Sequence, residues 1–451
     1  MKPSVVGSRS SRGHLYLLVE ESAREMWSRL LIAIHAARLG FDVVIGPQWL
    51  LPGQASRLPK GVVLFKGNNR IQADNMRLMR ASGHAIASIE EEVLGLISEA
   101  RIVEQYDRRI KELCDLLLCQ GEFQKNALAG AFPRFPGHME ATGNPRLDFL
   151  RAPLNARILK AAAAIRAARG PFILINSNYS SINPRHGDTL TNFGGWVQAG
   201  FVNPDSPGEV ADYMAFCGWE RQNLHALLSF MRGATGAGLA GRMVLRPHPA
   251  EATRRWRRGL GAAAGTEIEI VEDGDHLAWI SASELLVHTS CTTGLEAAIL
   301  GARAINLDAA DGPRSSEFGC FVANPRTSNP LEAVELARSC LESPAADGAA
   351  FAPRASVSEH WRIDETSAAE KIALSLADLH TSRGLDGGDG GGGDDLKLDD
   401  AGLTDWQTRK FTVDVATVKA YLADFRGMLG FSETFVVEEL SGSSMLIKSI
   451  R

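Results

Sequence analysis

Two short runs in the middle of the chain carry side chains suited to a phosphate-bearing ligand. They are Val244-Leu245-Arg246-Pro247-His248-Pro249 and Val287-His288-Thr289-Ser290-Cys291-Thr292-Thr293-Gly294-Leu295-Glu296. Each reads as an apolar strand that stops at a polar cluster. The second cluster opens directly into a helical pattern, Leu295-Glu296-Ala297-Ala298-Ile299-Leu300. A helix N-terminus offers unpaired N–H groups and the positive end of a dipole, so it favours an anion. Arg246 and His248, at the end of a neighbouring strand, can serve the nucleotide part of the same ligand. The pairing implies a sugar-nucleotide site at the C-terminal edge of a parallel sheet.

Plainer roles exist for each residue. Thr293 and Glu296 are spaced as a capping box, so Thr292 and Thr293 can simply start a helix. Density favours the ligand: Thr289, Ser290, Thr292, Thr293 and Gly294 crowd one strand-to-helix turn. A lone His248 is most simply a packed imidazole. Here prolines on both sides, Pro247 and Pro249, fix its backbone, and Arg246 offers bidentate pairing to phosphate or carboxylate. Asn176, Ser177 and Asn178 end a further strand, where they either hold phosphate or sugar or form a plain turn. Glu90-Glu91-Glu92 follows a strand at 84–89; such a run is a solvated helix start or, in a cleft, a source of general base or nucleophile. Glu20, Glu21, Arg24 and Glu25 follow the first strand. Glu20 can take the proton of an acceptor hydroxyl with Arg24 orienting it, whereas Glu25 has helix capping as its simplest task.

The elements that must position these groups alternate between strand and helix. His14–Glu20 reads as a buried strand. Ser22 and Glu25 then fit a capping box, and Ala23, Met26, Trp27, Leu30, Leu31, Ile34 and Ala37 recur at helical spacing up to Gly40. Further strands are expected at 41–46, 61–65, 84–89 and 116–120, with a turn at Gly143-Asn144-Pro145-Arg146. A second series is expected at 172–178, 242–248, 268–272, 284–289 and 303–308, with a long insertion from Tyr179 to Gly241 holding a helix near 219–231. This is the pattern of open parallel sheets. The fold class is α/β and GT-B-like: two Rossmann-like parallel-sheet domains facing a cleft, with a small C-terminal appendage. The expected divisions are 1–150 (acceptor side, catalytic acid), 151–380 (donor side), a Gly/Asp-rich linker at 381–396, and a segment at 397–451 with no assigned chemistry.

Composition bounds the class. The chain has 451 residues, 45% hydrophobic and 22% charged, with a net charge of −5; this describes a soluble globular protein with no general affinity for nucleic acid. Six cysteines (114, 119, 217, 291, 320, 340) form no CxxC pair and read as reduced, mostly buried thiols. No signal peptide is legible, and no run approaches the ~18 apolar residues of a membrane span. The expected location is cytoplasmic, with peripheral contact with the inner membrane or an assembly complex left open. No P-loop, GxGxxG after the first strand, GxSxG or HExxH is found. Histidines and acids lack metal spacing, so neither a protein-bound metal nor a cofactor is expected.

Taken in order, these residues resemble a family. The chain is similar to bacterial surface carbohydrate biosynthesis proteins, which resemble the CMP-sugar (Kdo-type) GT-B glycosyltransferases of capsule and lipopolysaccharide assembly. The likeness runs over roughly 14–375. It rests on Glu20…Arg24-Glu25, Gly61–Lys66, the acidic run after Ile89, Gly121-Glu122-Phe123-Gln124, Thr142–Asp148, Ile175–Asn178, Arg246–Pro249 and His288–Glu296. The resemblance implies that His248 and Pro249 contact the nucleotide, that Ser290, Thr292 and Thr293 hold the donor phosphate, and that Glu91 or Glu92 is the catalytic carboxylate. Family members carry Asp-Glu-Glu-Gly at the acidic run, whereas this chain has Glu90-Glu91-Glu92-Val93.

The resemblance thus implies a glycosyltransferase moving Kdo or a related ulosonic acid from its CMP form onto a glycan or glycolipid acceptor of a surface polysaccharide. CMP carries one phosphate, which a Ser/Thr turn and a helix dipole can hold without a cation. The alternatives are a UDP-sugar transferase, a UDP-sugar 2-epimerase, a CDP-polyol phosphotransferase, or an inactive binding module of an assembly complex.

Overall fold

The computed structural model describes residues 11–198, 200–310, 314–342, 356–385 and 396–450. They form two units, each built on its own sheet. The first opens with β1 (His14–Val19), buried along its whole length, as a strand covered on both faces must be. β2 (Asp42–Pro47), β3 (Gly61–Lys66), β4 (Ala85–Ile89), β5 (Leu116–Cys119) and β6 (His138–Ala141) follow, all parallel, in the order β2-β1-β3-β4-β5-β6. Strand positions match the pattern reading to within two residues, except for β6, whose half-exposed sequence HMEA shows no strand signal.

Helix Ser22–Arg38 covers this sheet with Met26, Leu30, Leu31, Ile34 and Ala37, and the chain leaves it through Gly40 at φ 97°. Its start differs from the expected capping box. The N-cap is Glu21, with no side-chain cap bond. Ser22 instead donates to the Lys410 carbonyl at 3.1 Å and accepts from the Thr412 N–H at 3.1 Å. Glu25 folds back onto the Glu20 N–H at 2.8 Å.

The second unit comprises residues 95–98 and 155–357. Its strands are β7 (Ile173–Asn176), β8 (Met243–Arg246), β9 (Ile268–Ile270), β10 (Leu285–His288), β11 (Ala304–Leu307) and β12 (Arg326–Thr327). All are parallel, ordered β12-β11-β10-β7-β8-β9. The insertion after β7 folds into helices Thr189–Gln198 and Pro207–Ala234. The second, at 28 residues, is far longer than the helix expected at 219–231. Its start carries a local signal that the sequence reading did not use: Ser206 caps the helix by accepting from the Glu209 N–H, with Pro207 at the first position, and burial at Tyr213, Leu227, Phe230 and Ala234 holds the rest.

From residue 358 the chain is back in the first unit, which corrects the expected division at 380. Helix Ala368–Ser382 is anchored by Asp148, whose carboxylate accepts from the N–H groups of Ala368 and Ala369, both at 2.9 Å. Thr381 and Ser382, expected in the linker, close this helix; residues 386–395 of that linker lie outside the described residues. The C-terminal segment is not peripheral. Helix Val415–Leu429 buries Val418, Leu422 and Phe425 in the core of the first unit, and Trp27 packs against Tyr421 at 4.3 Å between ring centroids. β13 (Thr434–Ser441) and β14 (Ser444–Ile450) form an antiparallel hairpin, and β14 pairs with β2 to extend the sheet to eight strands.

Phe425→Ala is therefore expected to cost about 3–5 kcal/mol in urea unfolding of the whole chain. A loss below about 1 kcal/mol, within reach of an ordinary surface change, would show that the segment does not share the core.

Candidate functional sites at two sheet edges

In the second unit, sheet register aligns Arg246, Asn176, His288 and Asn306 across β8, β7, β10 and β11. From β7 the chain moves outward to β8 and β9; from β10 it moves the other way, to β11 and β12. Ligands of open parallel sheets bind at such a reversal, beyond the C-terminal strand ends. The turn after β10 lies there. Ser290 has φ 40°, a left-handed conformation rare for a residue with a Cβ. Its N–H donates to Asn306 Oδ1 at 2.9 Å. Asn324 links the next helix to the sheet: its Nδ2 donates to the Gly294 carbonyl at 3.0 Å, and its Oδ1 meets His288 Nε2 at 3.0 Å. Burial lowers the His288 pKa to about 4, against the pull of Asn324, so the ring is neutral. A side chain at Gly294 would collide with both partners.

Helix Thr292–Leu300 starts from Cys291 with no side-chain cap bond. Thr293 and Glu296 therefore form no capping box; buried Glu296 instead meets His276 Nε2 at 3.0 Å. At this edge Asn176 Oδ1, Ser290 Oγ and Thr293 Oγ1 are shut from water with no nitrogen or oxygen hydrogen-bond partner, as are His288 Nδ1, Asn306 Nδ2 and the Asp308 carboxylate oxygens; the Ser290 hydroxyl has the Cys320 thiol beside it. The Thr293 hydroxyl has the Cys291 thiol beside it. Thr292 is exposed, and Asn178 is half-buried. Thr289 is otherwise engaged: its hydroxyl donates to the Leu307 carbonyl at 3.0 Å and meets Tyr179 Oη at 2.9 Å.

The Arg-Pro-His-Pro run sits at the end of β8. Arg246 donates to the carbonyls of Asp273 and Gly274, the latter at 3.0 Å. His248 and Pro249 are exposed; His248 Nδ1 accepts from the Ala250 N–H at 3.1 Å. What shapes this loop is Glu251, which pattern reading passed over. Its buried carboxylate accepts from Ser177 Oγ (2.9 Å), the Tyr179 N–H (3.0 Å), the His248 N–H (3.3 Å) and Trp256 Nε1 (2.7 Å). Burial raises its pKa while these donors lower it. Nearby, Glu220 accepts from the N–H groups of Ser181 and Ile182, each at 3.1 Å, and burial raises its pKa to about 8 despite them.

In the first unit, strand order reverses between β1 and β3, and a charge cluster occupies that edge. Lys66, ending β3, reaches Glu20 at 3.0 Å and Glu25 at 3.4 Å. Arg29, fully buried, donates to Glu91 at 2.9 Å and to the Leu18 carbonyl at 3.1 Å. Glu90 accepts from Asn68 Nδ2 at 3.4 Å. Burial raises the Glu25 pKa, with Lys66 and Arg29 opposing. For Glu20 burial pulls upward, but Lys66 and Lys410 outweigh it, and the pKa falls. Arg24, expected to orient the acid, is exposed; Lys66 and Arg29 pair with the carboxylates of this cluster. The side chain of Glu92 lies outside the described residues. Arg29 had a legible signal: it sits three residues after Met26 on the apolar face of its helix, where a charge needs a buried partner.

Among the described residues, no group of three or more His, Cys, Asp or Glu side chains could hold a metal ion, and no helix is long and apolar enough to cross a membrane. All six cysteines are buried.

No protein-family model matches the chain, and no curated protein matches it. Solved structures do. A candidate UDP-N-acetylglucosamine 2-epimerase from Listeria monocytogenes aligns at TM-score 0.52 and 13% identity, over 82% of this chain and 97% of its own. The UDP-GlcNAc 2-epimerase from Methanocaldococcus jannaschii aligns at 0.52 and 13%, over 81% and 99%. This chain therefore has the α/β fold with two Rossmann-like parallel-sheet domains that GT-B-like enzymes share.

Glu220 carries a pH prediction. A carboxyl whose pKa is about 8 when folded and near 4.5 when unfolded holds more protons in the native state between those values. Its contribution is complete below the unfolded pKa and is lost as pH rises through about 8. Glu220→Gln should gain thermal midpoint relative to the parent between pH 6 and 9. A constant difference across that range would mean that Glu220 ionises normally.

Proposed function

We propose that this chain is an enzyme acting on a nucleotide sugar, whose phosphate is held by the turn between β10 and helix Thr292–Leu300. One observation carries the reading: Asn176 Oδ1, Ser290 Oγ and Thr293 Oγ1 are buried with no nitrogen or oxygen partner, the two hydroxyls having only the Cys320 and Cys291 thiols beside them, at a helix N-terminus with no side-chain cap bond. An unsatisfied buried polar group costs about 1–3 kcal/mol. Three at one edge, next to unpaired N–H groups, suit a ligand that brings oxygen acceptors and a donor for the amide oxygen. Ser290, Thr292 and Thr293 would bind phosphate, while Asn176, Asn178, His248 and Pro249 would line the sugar or base.

The finer reading we favour is 2-epimerisation of a UDP-linked N-acetylhexosamine. The neighbours of this fold described as UDP-GlcNAc 2-epimerases align over nearly their whole length. Inverting C2 requires taking a proton from carbon and returning one to the opposite face. Two carboxyls with opposite proton affinities suit that work, and Glu25 is shifted up while Glu20 is shifted down. Lys66 touches both. In this reading Glu91, paired to Arg29, sets the charge of the cluster.

Transfer of a Kdo-type sugar from CMP, with Glu91 or Glu92 as the catalytic carboxylate, is the second reading. It is favoured by the neutral groups of the phosphate turn and by the engagement of Arg246 with the Asp273 and Gly274 carbonyls. A single phosphate needs less counter-charge than a pyrophosphate.

Calorimetry with UDP, UMP, CMP and CDP, on the parent and on Thr293→Val, tests the site. Incubation with UDP-GlcNAc in D2O, read by NMR, tests the reaction. Epimerisation would place deuterium at C2, and Glu25→Gln should slow this about 10²–10⁴-fold with UDP binding retained. Selective CMP binding with no deuterium uptake would replace epimerisation by ulosonic-acid transfer. Binding of no nucleotide would sink both.

A further inference from the structure

The C-terminal segment lies outside the family resemblance, yet one of its side chains reaches the acid cluster of the first unit. Helix Asp405–Lys410 starts with a complete capping box from Thr404 and Gln407. At its end, Lys410 Nζ lies 3.3 Å from Glu20 Oε1, while Lys66 holds the other oxygen at 3.0 Å. The same Nζ is 4.3 Å from the centre of the Trp406 ring and 5.7 Å from that of Trp49. The two indoles are 5.5 Å apart, inclined at 56°. The group is pinned on both sides: Ser22 bonds the Lys410 carbonyl, and Gln54 Nε2 donates to the Asp399 carbonyl at 2.9 Å.

Trp406 is 52% exposed and the Glu20 side chain keeps 30% of its surface, so indole and carboxylate are both open to a ligand. We propose that Trp406, Trp49, Lys410 and Glu20 form a saccharide-binding subsite, taking one pyranose ring of a glycan. A pyranose has an apolar face of C–H groups that stacks on an indole, and a rim of hydroxyls. An ionised carboxylate only accepts hydrogen bonds, so the ligand must bring donors, which hydroxyls supply. An anionic nucleotide would set its phosphate against that carboxylate. Lys66 and Lys410 together keep Glu20 charged, and Lys410, lying between Glu20 and the two indoles, fixes its distance from the rings, so Lys410 is the positioning residue of the subsite. The inference goes beyond the nucleotide-sugar reading and shares only Glu20 with it; Trp406, Trp49 and Lys410 play no part there.

The test applies the full chain to an array of neutral and uronic-acid-bearing oligosaccharides, beside Trp406→Ala, Lys410→Met and Lys410→Arg. UDP and CMP titrations are run on the same samples. The parent is expected to retain at least one saccharide class. Trp406→Ala and Lys410→Met should weaken it about tenfold or more, and Lys410→Arg should keep it. Thermal midpoints within about 2 °C of the parent separate a lost site from a lost fold. No retention by the parent, or equal retention by Trp406→Ala, overturns the subsite. Saccharide retention without nucleotide binding would leave the subsite standing and remove the nucleotide-sugar reading.

Discussion

A parallel strand cannot return directly to its neighbour; every pair needs a crossover, so the C-terminal ends of all strands in a unit share one edge. Most of the chemistry of both units follows from that constraint. In the second unit it sets Arg246, Asn176, His288 and Asn306 in one row although they are far apart in the chain. In the first it brings Glu20, Lys66 and Glu91 to the ends of β1, β3 and β4. Where strand order reverses, adjacent crossovers leave in opposite directions and open a space over the strand ends. Both polar clusters sit at such a reversal.

Once that edge is buried, its charges need partners. Each unit answers differently. Glu251 gathers neutral donors from Ser177, Tyr179, His248 and Trp256, and so ties the Arg-Pro-His-Pro loop to the end of β7. The first unit uses lysine and arginine; burial raises the proton affinity of Glu25, whereas at Glu20 the pull of Lys66 and Lys410 together outweighs burial and lowers it. The turn after β10 is the exception. It keeps unpartnered hydroxyls and a left-handed Ser290 within a frame fixed by Asn306 and Asn324. Strain and unsatisfied groups persist where surrounding contacts over-determine the backbone, and they concentrate at functional positions.

The C-terminal segment shows how little sequence distance limits a site. Its helix fills the core of the first unit beside Trp27, its hairpin covers the edge of β2, and Lys410 reaches Glu20. The covered edge has a physical use, since an open edge strand is a template for unwanted pairing.

Ten of the strands, the two-sheet organisation and the polar turn after β10 were legible in the sequence because each depends on short-range pattern: apolar runs of strand length, glycine stops, and polar residues massed at one junction. The capping boxes were misread for the same reason. Ser22 and Glu25, like Thr293 and Glu296, have the right spacing, but tertiary partners at Lys410, Glu20 and His276 claimed those side chains. β6 was missed because half-exposed HMEA carries no apolar period. What only the tertiary structure decided is which charges meet. Arg29 with Glu91, Lys66 with Glu20 and Glu25, and Lys410 with Glu20 are pairings across the fold. Spacing along a chain says nothing about such distances; they are set when crossovers bring strand ends together and burial forces each charge to find a partner.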